Sequence, residues 1–167
     1  MTERVPRVWD VLSASEDATL RAFVADNRHE VLALLDGLTE EQARRRLVPS
    51  RTCVLAIVKH CAYVERVWFQ EAVLGHSREI LGIPVDVEDS WLLDDSDTIT
   101  SVRENFLAAV AESERIAADL SSDDLAVHPR FGPLTVRWIH AHLVQELARH
   151  AGHGDILREQ VLAANAE

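Results

Sequence analysis

The sequence predicts an all-α protein, a four-helix bundle with a long crossover connection. Two patterns predict it: apolar residues recur at three- and four-residue spacing through long segments, and period-two alternation never persists. A third is a stretch without helical periodicity, residues 75 to 98, which divides the helical segments into pairs. The 167 residues are read as one domain, residues 1–167, and 47% of them are apolar. A globule of this size buries roughly 68–70% of the surface its unfolded chain exposes, so it needs no staple.

The first helix is expected over Asp17 to Asp36, with acidic residues in its opening turn and Gly37 as its stop. Thr39 and Gln42 have capping-box spacing and predict a short helix in TEEQARRR. A second long helix follows Thr52 and ends before Gly75, and a third fits SVRENFLAAVAESERIAADL. The fourth starts after Thr135 and carries Gly152 and Gly154, each costing about 1 kcal/mol relative to alanine. The favoured reading is a break there, with Asp155 capping a last helix; the other is close approach of a neighbouring helix or ligand. The connection at residues 75 to 98 holds Asp86, Glu88, Asp89, Asp94, Asp95 and Asp97 around Trp91. It reads either as a solvated acidic loop or as a crossover that serves as a lid.

The formal charge of −11 repels phosphate backbones and anionic membrane surfaces, so neither nucleic acid nor membrane is an expected partner. No segment approaches the roughly 18 consecutive apolar residues of a membrane span. The opening MTERVPRVWD lacks the apolar core of a secretory signal, and the expected compartment is the cytoplasm. Cys53 and Cys61 form no CxxC pair and read as small buried hydrophobes, with Cys61 turned away from the face of its neighbour His60. A homodimer stays open, because exposed apolar helix faces look like buried ones in a sequence.

The fourth helix carries the ligand chemistry. His142, Glu146 and His150 are four residues apart and stack along one stripe, which His153 continues beside the apolar Ile139, Leu143 and Leu147. Burying a carboxylate and imidazoles costs several kcal/mol unless they pair or bind a metal. A helix supplies two ligands from such spacing, and a third must come from elsewhere. His60 offers it, on the face of the second helix shared with Val64, Val67 and Trp68. Imidazole and carboxylate suit zinc, nickel, iron or manganese, and a His60, Glu146, His150 set leaves a position open for chemistry. His142 is either a partner to these ligands or a surface residue, and His29, His76, His128 and His140 are assigned no role. The spacing matches neither His-Glu-x-x-His nor paired Glu-x-x-His, and there is no phosphate loop.

On HCAYVERVWF and ELARHAGHGDILRE, supported by LLDGLTEEQARRRLVPS, the chain resembles the DinB-like superfamily of metal-binding bundles. It is most similar to the actinobacterial mini-circle branch, which includes mycothiol-dependent enzymes. The resemblance implies a divalent metal, commonly zinc or nickel, on His60, Glu146 and His150. Many relatives carry histidine where Glu146 stands, while the His, Glu, His set is similar to that of mycothiol-dependent maleylpyruvate isomerase. The implied activity is thiol-dependent S-transfer or isomerisation on a small electrophile, with mycothiol or another low-molecular-weight thiol as cosubstrate. In that chemistry His153 or Asp155 would relay the proton, Arg149 or Arg158 would hold an anionic group, and Trp68 would form the pocket wall. A metal-binding bundle without turnover and a metal-dependent hydrolase are the rival expectations.

Overall fold

Polar caps set where the helices begin. In the computed structural model, which describes residues 7–164, Ser15 accepts the Ala18 N–H and opens α1 (Glu16–Ala33). Thr39 and Gln42 close a reciprocal capping box over α2 (Glu40–Arg44). Thr98 and Ser101 do the same for α5 (Ile99–Ala117), and Thr135 caps α6 (Val136–Ala163) through the Trp138 N–H. Each such cap is worth about 1 kcal/mol. Of the opening segment read for a secretory signal, residues 1–6 lie outside the described range.

α3 (Val54–Glu65) has no side-chain cap and is fixed by burial, with only Lys59 along it less than fully enclosed. A helix apolar on all sides belongs at the centre of a bundle. It packs along α5 while α1 packs along α6, and the four long helices enclose one core in which Phe69, Phe106, Leu55, Ile139 and Leu147 are fully buried. α3 then continues as a π-helical turn, Arg66–Glu71, with the Ala72 N–H reaching back to the Val67 carbonyl at 3.0 Å. Such turns reaim side chains and recur at functional sites. Among the described residues no helix is long and apolar enough to cross a membrane.

Deep in the bundle, Arg28 of α1 donates twice to the carboxylate of Glu65, both contacts at 2.8 Å. Glu65 is 0% exposed and Arg28 9%. Neither charge is singled out by the sequence, where no spacing pairs a residue of α1 with one of α3.

The expected break at Gly152 and Gly154 does not occur: α6 runs through both, and Asp155 is an exposed residue within the helix, not a cap. The reading of close approach holds at Gly154, where an added Cβ would collide with the side chain of Leu34. Beyond it, Leu157 and Val161 are buried and Arg158 donates to the Leu34 carbonyl at 3.0 Å, so packing on α1 carries the helix across its glycines. Gly152 meets only open space. Gly154→Ala should therefore destabilise by about 1–3 kcal/mol through overpacking, whereas Gly152→Ala should stabilise by up to about 1 kcal/mol. Denaturant unfolding of the two variants reads the contrast, and equal responses would refute close packing at Gly154.

Two further departures concern connections. Leu125–His128 (β1) and Gly132–Thr135 (β2) form an antiparallel hairpin where no strand was expected, with His128 opposite Gly132. Its Val127 N–H donates to the Ala72 carbonyl at 3.1 Å, tying the hairpin to the end of the π turn. The crossover is not structureless either, since it contains α4 (Arg78–Leu81) and a 3-10 turn at Val87–Trp91. Cations of α2, α3 and the connection between them catch its carbonyls: Lys59 donates to Leu92 O at 2.8 Å, Arg44 to Asp94 O at 2.7 Å and Arg51 to Glu88 O at 3.2 Å. Lys59 also pairs with the buried Asp97 at 2.7 Å.

Candidate metal centre

The enclosed face of α3 presents His60 across the bundle to Glu146 and His150 of α6. One ligand atom from each of the three lies within 4.8 Å of the others. The Glu146 Oε1 atom is 3.1 Å from His150 Nε2 and 3.8 Å from His60 Nε2. The hydrogen bond to His150 is the largest influence holding the Glu146 carboxyl far below the usual carboxylate range. Burial pushes the His60 pKa down, favouring the neutral ring that a metal requires.

The crossover sets the tautomer of His60. Ser90 Oγ donates its one proton to the Val87 carbonyl and lies 2.7 Å from His60 Nδ1. The hydroxyl must then accept from Nδ1–H, which leaves the Nε2 lone pair facing the carboxylate of Glu146. Trp91 stacks on the same ring at 3.9 Å between centroids and meets His150 edge-on at 5.2 Å. A lone pair facing a carboxylate is repulsive unless a cation lies between them. His150 Nδ1 is buried with no partner among the described residues. Two buried imidazoles and a partly buried carboxylate therefore fit a divalent transition-metal ion.

Outer partners that orient a ligating histidine are commonly worth 10–100-fold in metal affinity. Ser90→Ala should accordingly weaken zinc binding by about 10–100-fold in a chelator competition, with Ser90→Thr close to wild type. Unaltered affinity in the alanine variant would show that the hydroxyl does not set the ring.

His60 and Glu146 open onto a cavity of about 1050 Å³ also lined by Tyr63, Val64, Val67, Trp68, His128 and His142, among others. Arg78 braces its wall, donating to both Glu71 oxygens (2.9 and 3.0 Å) and to the Tyr63 hydroxyl (2.7 Å). Trp68 and His142 thus face the cavity. Arg149 is half exposed at its edge, 3.5 Å from Glu146 Oε2. His153 is exposed, with its ring 5.9 Å from that of His150. Arg158 and Asp155 are not brought to the cavity: the first is spent on α1 and the second faces outward.

Sequence reasoning missed Ser90, Trp91 and His128. The first two sit on a segment with no periodicity to place them, and His128 lies on the unexpected strand. Both cysteines are buried and free, and burial raises both thiols, Cys61 well above its ordinary value. The chain has no reactive thiol of its own to offer the site.

Fold and cluster together define a helical-bundle protein with a histidine and carboxylate centre of metal-ligating type. The family model for mycothiol-S-transferase matches residues 19–163, most of the chain, and the protein belongs to that family. A search of curated proteins finds no match.

Proposed function

We propose that the protein is a divalent-metal-dependent mycothiol S-transferase that joins the sulfur of mycothiol to a small electrophile in the cytoplasm. The observation that carries the reading is the convergence of His60, Glu146 and His150 from two helices, with His60 and Glu146 lining a cavity. Family membership supports the thiol, and the absence of a reactive cysteine explains why sulfur must come from outside. These three side chains would hold zinc or nickel, whose contribution when bound is Lewis acidity that favours the thiolate form of the thiol.

The residues of the chain do the rest. Ser90 and Trp91 hold the His60 ring in one tautomer and orientation, and the apolar wall of Val64, Val67 and Trp68 keeps water from the reacting sulfur. His153, exposed beside His150, passes the thiol proton to solvent. Arg149, at the rim, offers a contact for an anionic group of either reactant. A carbon–sulfur bond forms as the leaving group departs with its bonding pair.

The test is conjugation of mycothiol to a model electrophile by zinc-loaded protein. A rate above the spontaneous one, abolished by chelation and restored by the ion, is expected. Metal uptake with no conjugation would instead favour a binding bundle without turnover.

A further inference from the structure

Beyond the metal ligands, the cavity has two ends of different chemistry. Arg78, Glu79 and Asp86 line one. The other is a wall of rings with Trp68 at its centre, its centroid 4.6 Å from His142, 5.0 Å from His128 and 5.1 Å from Trp138. Phe131 lies nearly parallel to Trp68, at 6.2 Å and 11°. A second hollow of about 580 Å³, lined by Trp68, Phe131, Trp138 and His142 together with Pro133, Leu134 and Thr135, continues this wall outward. It contains no Asp, Glu, Lys or Arg.

The rings at the mouth are not core filler. Phe131 is 59% exposed and Trp138 45%, so each keeps a large apolar surface in water beside the cavity. Within the wall lies one unsatisfied polar group. The Arg130 N–H donates to His128 Nδ1 at 3.0 Å, so the neutral ring carries its proton on Nε2. That Nε2 is buried and has no partner among the described residues, although His128 itself is only 2% exposed. Burial favours the neutral form in which this N–H is fixed. A buried donor with no acceptor, in a wall otherwise made of aromatic faces, is costly unless a ligand completes it.

We propose that this aromatic end is the electrophile subsite and that it selects flat aromatic electrophiles bearing a hydrogen-bond acceptor. The ring packs against the exposed Phe131 and Trp138 beside Trp68, and the acceptor takes the N–H of His128. The chemistry of the inference rests on the transferase reading; the binding does not. Stacking of this kind is worth up to about tenfold in affinity per ring, and a buried donor left without its acceptor costs at least as much.

Two measurements separate the claims. In the first, zinc-loaded protein and mycothiol react with 4-nitrobenzyl chloride, benzyl chloride or allyl chloride. In each case a carbon–sulfur bond replaces the carbon–chlorine bond, chloride leaves with the electron pair and the thiol proton passes to buffer. The kcat/KM ratio of 4-nitrobenzyl to allyl chloride should fall about tenfold in Trp138→Leu and in Phe131→Leu. The ratio of 4-nitrobenzyl to benzyl chloride should fall in His128→Phe and be restored in His128→Gln, which keeps a donor. The second measurement is calorimetric titration with unreactive 4-nitrobenzyl alcohol, whose binding should weaken about tenfold in Trp138→Leu. Binding of the alcohol with no conjugation of any chloride would sustain the subsite and reject the transferase. Conjugation with ratios unmoved by the variants, or no binding of the alcohol to wild type, would overturn the subsite.

Discussion

Glu146→Ala is expected to abolish tight binding of divalent ions. The carboxylate is the one group that lies against both imidazoles, with Oε1 at 3.1 Å from His150 and 3.8 Å from His60. Without it, two imidazoles remain on opposite helices, and no other carboxylate joins them in the ligand cluster found among the described residues. The loss should exceed the roughly 10–100-fold that an orienting partner such as Ser90 is worth. His60→Ala should do the same, because it removes the only ligand from α3. Competition with a zinc chelator measures both. Retention of wild-type affinity in either variant would mean that the ion is held elsewhere.

The second large effect is on stability. Glu65→Ala should cost about 3–5 kcal/mol in denaturant unfolding, because it leaves the Arg28 guanidinium buried beside an empty space where two charge-assisted bonds stood. Glu114 reaches the same guanidinium at 3.4 Å but is itself half exposed, and it cannot replace a bidentate partner. Replacing both charges, Arg28→Met with Glu65→Leu, should recover most of the loss, since a well-packed apolar pair avoids the desolvation of two ions. A double variant no more stable than Glu65→Ala would show that the pair contributes more than mutual neutralisation.

Much of this architecture was legible because helical periodicity is a strong signal over long segments. Thr39 with Gln42 and Thr135 marked starts that the caps bear out, while α1 ends at Ala33 and Gly37, expected as its stop, takes its positive φ in the turn beyond. Four-residue spacing put Glu146 and His150 on one stripe, and apolar neighbours put His60 on an inward face. What spacing could not give was anything set by tertiary contact. Gly154 reads as a helix breaker until Leu34 of another helix lies against it. Ser90 and Trp91 reach His60 only because Lys59, Arg44 and Arg51 draw the crossover onto the bundle.

The hairpin had a local signal that period-two counting over four-residue strands is too short to register. LAVHPRFGPLT places a three-residue loop before a glycine, and Gly132 takes a positive φ there. Recognising that turn would have put His128 on a strand, but only the tie from Val127 to Ala72 brings it beside Trp68. Glu65 and Arg28 were invisible for a different reason. No spacing within either helix pairs them, and only the packing of α1 against α3 makes them partners.

The central claim is that His60, Glu146 and His150 converge on one divalent ion. Its most direct test is a crystal of zinc-loaded protein measured at the zinc absorption edge. A single anomalous peak about 2.0–2.2 Å from His60 Nε2, a nitrogen of His150 and an oxygen of Glu146 is predicted. A peak bonded to other residues, or a loaded crystal with none at the cluster, would contradict it.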